Sequence, residues 1–130
     1  IGVSILGGDL VWIQGPYPAG HWPDVKIFNK TLRHWLEPGE RVEADNGYVG
    51  CADKVKCPDN PCNPVANLGM QGRVRSRHET INGRFKVWGI LREEYRHDIE
   101  RHGEVFRAVA IITQLAIENG SPLFQVDYED

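Results

Sequence analysis

Long apolar runs are missing from this sequence: no stretch approaches the roughly 18 to 20 residues that a bilayer-spanning helix needs, and that excludes the helical membrane class. The N-terminus also lacks the basic region and apolar core of a secretory leader, so an intracellular location is the expectation. Methionine occurs once, at Met70, and cysteine three times, at Cys51, Cys57 and Cys62. An odd count of thiols without a secretion signal argues against a disulfide framework. Their spacing also lacks the close C-x-x-C pairs of most structural zinc sites, although a histidine could complete a zinc-bound module in space. Excess positive charge is absent too. The net charge of −3 gives no global electrostatic case for nucleic-acid binding, so any such case must be local.

What is present fits one ordinary folded domain spanning residues 1–130. Hydrophobic residues make up 41% and charged residues 25% of the chain, which excludes disordered and collagen-like classes. The opening IGVSIL reads as the inside of a strand, which suggests a chain whose upstream part is missing.

The local charge case lies between Arg73 and Lys86. There Arg73, Arg75, Arg77, Arg84 and Lys86 face only one carboxylate, Glu79. In the same stretch Val74, His78, Ile81, Phe85 and Trp88 recur at steps of four and three. That spacing predicts a helix over 73–91 with one buried stripe. Arg75, Glu79, Asn82 and Lys86 occupy a neighbouring face, which suits either a metal ligand facing a polyanion or an exposed face laced with Arg–Glu pairs.

Around this helix the chain reads in order. Gly2 to Leu6 and Leu10 to Gln14 are β-rich runs joined by Gly7-Gly8-Asp9, a hairpin signal. GPYPAGHWP is irregular by its glycine and proline content. Asp24 then heads an amphipathic helix carrying Val25, Ile27, Phe28, Leu32, Trp35 and Leu36, stopped by Pro38-Gly39. RVEA is a short strand ending at Asp45, with a turn at Asn46-Gly47. Residues 48–72 read as a long irregular insert loop, 104–118 as a helix apolar on nearly every face that belongs in the core or under a sheet, and the tail as surface. The order implies an α/β fold, a mixed sheet covered by helices.

Two carboxylates at a strand end and on a packed helix can converge on one hard divalent cation, and Asp45 and Glu79 are the candidates. Taken singly, Asp45 is also a turn former and Asp24 a helix N-cap. Asp9 is a turn former in the hairpin.

Four segments, in order, carry a more specific signal: VWIQGPYPAGHWPD followed by IF, EADNGYVG, RSRHETINGRFKVWGIL and RAVAIITQLAIENG. Together they resemble the DDE superfamily endonuclease domain of Harbinger/PIF-type transposases. The resemblance implies an RNase H-like fold and divalent-metal-dependent cleavage of DNA phosphodiesters with Mg²⁺ or Mn²⁺. It puts Asp45 in the role of the second acid of the metal-binding triad and Glu79 in that of the third, with Arg75, Arg77 and Lys86 as candidate phosphate contacts and Asp24 as an accessory acid. The family's first acid lies on a strand upstream of the segment that matches Ile1, and no residue here matches it. A domain lacking its first strand, and dependent on a missing N-terminal region or a helper DNA-binding protein, is therefore expected. A nuclear location follows from the resemblance. The alternative is a domesticated, non-catalytic DNA- or protein-binding module on the same fold.

Overall fold

The computed structural model describes residues 1–18, 20–58 and 68–128. It divides into two compact units, one formed by Ile1–Pro16 with Ser76–Asp130 and the other by Tyr17–Arg75.

In the first unit the expected hairpin is present but short. Strand β1 (Gly2–Val3) pairs antiparallel with β2 (Leu10–Trp12), bringing Gly2 opposite Trp12 and Val3 opposite Leu10. The connection is wider than Gly7-Gly8-Asp9. Ser4 N–H donates to Asp9 O at 2.9 Å and Gly8 N–H donates to Ser4 O at 3.0 Å, which pulls residues 5 to 8 into the loop. Gly8 sits at φ +78°, a left-handed conformation that favours glycine.

The helical part of this unit combines the second half of α2 (Leu68–Lys86), the short α3 (Gly89–Arg92) and α4 (His102–Glu118). Ile81 and Phe85, one turn apart on α2, form a core with Val109, Ala110, Ile117 and Leu123. Phe85 and Phe106 meet with ring centroids 5.4 Å apart. The predicted stripe thus holds at Ile81 and Phe85 but ends before Trp88. The chain leaves the helix after Lys86, Trp88 takes ψ 114°, and its ring is 41% exposed.

Two expectations are corrected here. Helix α4 is not enclosed: Val109, Ala110, Thr113 and Ile117 are buried, while Ile111 is 62% exposed and Ile112 and Leu115 are also exposed. Its exposed side borders a hollow of about 310 Å³ against β2, lined by Val11, Trp12, Ile111 and Leu115 among others. The acidic tail is not wholly surface, because Leu123 and Val126 are buried and act as apolar anchors within it.

The second unit holds α1 (Asp24–Lys30), a 3₁₀ turn at Leu32–His34, strands β3 (Val42–Glu43) and β4 (Val55–Lys56), and a 3₁₀ turn at Asn46–Tyr48. Its core gathers Phe28, Cys51 and Val55, with Val25, Leu32, Leu36, Val42 and Tyr48 packed around them. Five of the six apolar positions read for this helix are at least partly buried, but Trp35 is 79% exposed.

Strand β4 lies inside the segment expected to be an irregular loop. It pairs parallel with β3, Val42 opposite Val55 and Glu43 opposite Lys56. Helix α2 likewise starts at Leu68, five residues before the predicted Arg73. Residues 59–67 of that insert, including Cys62, lie outside the described residues. Among the described residues the strands form two separate two-stranded sheets, one antiparallel and one parallel, in place of one mixed sheet.

Candidate functional site

Asp45 follows β3 and caps the next turn. Its Oδ1 accepts from Gly47 N–H at 2.9 Å, which fixes the side chain with one carboxylate oxygen used and the residue still exposed. A Cβ at position 47 would sit 2.9 Å from that same oxygen, so the cap depends on glycine there. The turn-former role is therefore real, and it leaves the second oxygen of Asp45 with no partner among the described residues.

The turn then delivers Tyr48 into the core. Its ring meets Phe28 of α1 edge-on, centroids 5.9 Å apart at 80°. Asp24 lies four residues before Phe28, so the two share a face of α1. Phe28 on Tyr48 thus brings the start of α1 beside the turn headed by Asp45. Asp24 and Asp45, 21 positions apart in the chain, thus lie on elements packed together at this contact.

The electrostatics agree with this placement. Burial first, then Asp24, Asp45 and Cys51, push the Tyr48 phenol well above its ordinary value of 10.0. All four causes disfavour the phenolate, so Tyr48 stays a neutral hydroxyl. Asp24 itself is not the N-cap. Pro23 holds that position without a side-chain bond, and Asp24 is the first helical residue, exposed. The expected capping role is replaced by a place beside Tyr48.

The raised phenol has a stability consequence. A proton held more tightly by the folded state stabilises it fully below the unfolded value of 10.0, and that contribution is lost as the pH rises above it. Tyr48→Phe removes the group. The urea midpoint of the wild type should therefore fall more steeply above pH 10.0 than that of the variant, whereas parallel curves would count against the burial of this phenol.

Further along the turn, Cys51 is buried and its Sγ receives Asn29 Nδ2 at 3.5 Å. Arg33 joins Asn29 Oδ1 at 2.9 Å to Asp53 Oδ2 at 2.6 Å, tying the end of α1 to the segment before β4. The Arg33–Asp53 pair is solvent-exposed and contributes little to stability. Cys51 and Cys57 are both buried.

Glu79 is on α2 in the first unit, exposed, and makes no hydrogen bond or ion pair among the described residues. The cations around it divide. Lys86 is exposed and has no carboxylate partner among the described residues. Arg75 is half-buried, with Nη1 enclosed and unbonded. Arg84 spends its guanidinium on Ser121 O at 2.6 Å and Pro122 O at 3.3 Å.

Arg77 is the clearest correction. It is 3% exposed, and its guanidinium donates to Phe124 O at 3.0 Å, Ser4 O at 3.2 Å and Ile5 O at 2.5 Å. It holds the hairpin loop and the tail together within the first unit and presents no surface to a phosphate. The signal was in the spacing: Arg77 precedes Ile81 by four residues and Phe85 by eight, which puts it on the buried stripe.

Among the described residues no group of three or more histidine, cysteine, aspartate or glutamate side chains is placed to hold a metal ion. What the donor chemistry offers is a pair of exposed carboxylates beside Tyr48, hard oxygen donors of the kind Mg²⁺ accepts while keeping several waters. The zinc alternative rests on Cys51 and Cys57, both buried, and no group of three or more zinc-type ligands is found among the described residues.

Fold and site together define an α/β protein of helices and two small sheets, with two exposed carboxylates, Asp24 and Asp45, on elements joined through Phe28 and Tyr48. Comparison with protein-family models, with curated proteins and with solved structures finds no match to this chain. Among the described residues no helix is long and apolar enough to cross a membrane.

Proposed function

We propose that this chain is part of a DDE-type nuclease domain of RNase H-like architecture, derived from a transposase, in which Asp45 and Glu79 are divalent-metal ligands and Asp24 is an accessory acid. The observation that supports the reading is the Phe28–Tyr48 contact, which packs the helix begun by Asp24 against the turn headed by Asp45, with both acids disfavouring the Tyr48 phenolate.

Within this reading each residue has a definite task. The Gly47 bond fixes one oxygen of Asp45 and leaves the other to bind. Tyr48, kept neutral, can donate to either carboxylate and orient it without adding negative charge. Glu79 offers a carboxylate that is unpaired among the described residues, and Lys86 an exposed ammonium for a DNA phosphate. Arg75 stays a candidate phosphate contact. A bound Mg²⁺ or Mn²⁺ would supply activation of water and neutralisation of the leaving oxygen. DNA is the substrate, a helper DNA-binding protein or further segment is the partner, and the nucleus is the location this reading entails.

One observation favours the second reading, a non-catalytic DNA- or protein-binding module on the same fold. Two of the five cations near Glu79, Arg77 and Arg84, are committed to backbone carbonyls, which thins the polyanion-facing surface.

Mn²⁺ titration followed by water-proton relaxation separates the two. Asp45→Ala and Glu79→Ala should each weaken Mn²⁺ binding by about tenfold or more, the loss typical of removing a first ligand or its support, and Asp24→Asn by less. Equal binding in the wild type and all three variants sinks the nuclease reading.

A further inference from the structure

We infer that Tyr17, Trp22, Lys26 and Lys30 form a docking ledge for single-stranded DNA. The ledge belongs to the second unit and is separate from the carboxylates around Tyr48. Tyr17 and Trp22 stack with centroids 4.8 Å apart and planes 33° from parallel. Lys26 Nζ lies 4.3 Å and Lys30 Nζ 5.1 Å from the centroid of the same indole. Lys26 also donates to His21 O at 3.3 Å, which pins its ammonium to the loop that carries Trp22.

The spacing explains the assembly. Lys26 and Lys30 are one turn apart on α1, and Trp22, in the loop just before the Pro23 cap, brings its indole to both. Asp24, the only carboxylate between Tyr17 and Leu36, is about 200° round the helix from Lys26. Neither lysine has a carboxylate partner among the described residues. Two like charges are thus gathered over one ring, attracted by its quadrupole but repelling each other. Their field is left uncompensated toward solvent.

The partner that fits must be a polyanion with flat faces. Duplex DNA offers phosphates but keeps its bases stacked, and an acidic peptide offers charge without planar groups. A single strand offers both: phosphates for the ammonium pair and unpaired bases for the aromatic pair. The choice of DNA over RNA rests on the nuclease reading, while the binding ledge rests on its own geometry.

Anisotropy of a fluorescein-labelled oligo-dT of about 15 nucleotides, within the span of single-strand sites, tests this in EDTA, where no metal-dependent cleavage can occur. The full chain should bind, with affinity falling as salt rises. Lys26→Ala/Lys30→Ala should weaken binding and reduce the log–log salt slope by about 1.4, at about 0.7 per phosphate contact. Trp22→Ala should weaken binding about fivefold or more by loss of stacking, with the slope kept. The lysine variant changes exposed side chains only, so it reports even where Trp22→Ala loosens the loop. The proposal is overturned if the lysine variant keeps wild-type affinity and slope, or if an equal-length duplex or oligo-rU binds more tightly than oligo-dT. If oligo-dT binding holds in EDTA while Mn²⁺ binding ignores Asp45→Ala and Glu79→Ala, the nuclease reading fails and the ledge stands.

Discussion

Arg77→Ala should destabilise the protein by about 3 kcal/mol or more, because hydrogen bonds to a buried charged group are worth about 1.5 to 3 kcal/mol each and orphaned partners add their own desolvation cost. Three carbonyls now converge on this guanidinium, those of Ser4, Ile5 and Phe124. Ser4 O keeps a second donor in Gly8 N–H at 3.0 Å, so the main losses fall on Ile5 O and Phe124 O. Arg77→Lys should recover only part of the deficit, since an ammonium on a single stem cannot reproduce the planar fork that reaches both the hairpin loop and the tail. Lys86→Ala on the same helix provides the contrast. Its side chain is exposed, and its loss should move stability by no more than about 0.5 kcal/mol. Urea unfolding followed by far-UV circular dichroism measures all three. Equal midpoints for Arg77→Ala and the wild type would show that the buried fork is not what holds the tail.

The same residue shows how far the sequence could be read. Charge counting placed Arg77 with Arg75 and Lys86 as a surface cation, because an arginine is exposed by default. The helical period placed it on the stripe of Ile81 and Phe85. Where the two signals conflicted, the period was the better guide, since a helix face buries whatever lies on it provided the polar group finds acceptors. Those acceptors are 72 and 47 residues away in the chain, at Ile5 and Phe124, and no local pattern announces them. The hairpin, α1, the turn at Asp45 and α4 were legible for the opposite reason: each is signalled by its own residues, through Gly-Gly, apolar spacing or Asp-Asn-Gly. Strand β4 was not, because Val55 and Lys56 are too short a run to show alternation and owe their conformation to β3. The early start of α2 was hidden by Gly69 and Gly72, which lower helix propensity by about 1 kcal/mol each without preventing the helix.

At the candidate site the sequence supplied the acids and missed what joins them. Asp24 and Asp45 were both named, the first as a helix cap. In the sequence Tyr48 reads as part of the EADNGYVG segment and as the start of an insert, with no sign that its phenol is disfavoured as an anion by both acids. The clue was available three residues after Asp45: a tyrosine in a tight polar turn must turn its ring inward, and its hydroxyl then needs polar company.

The second large effect falls on the stripe of α2 and separates two aromatic residues that the sequence assigned to one face. Phe85→Ala should cost about 3 to 5 kcal/mol, the range for truncating a buried aromatic residue. Phe85 is 4% exposed among Ile81, Val109 and Leu123, and its ring meets that of Phe106 at 5.4 Å. The cavity it leaves is bounded by helices on both sides, which limits collapse. Trp88→Ala removes a larger side chain but should cost about 1 kcal/mol or less, because the helix has already ended at Lys86 and Trp88 acts through its backbone. Its carbonyl accepts from Leu91 N–H at 2.9 Å to start α3, a bond that alanine keeps. The order Phe85→Ala far below Trp88→Ala in urea midpoint, at equal m-value, is the expected result. The reverse order would mean that the helical stripe continues through residue 88, as the four-and-three spacing alone implies, and that the break after Lys86 is misplaced.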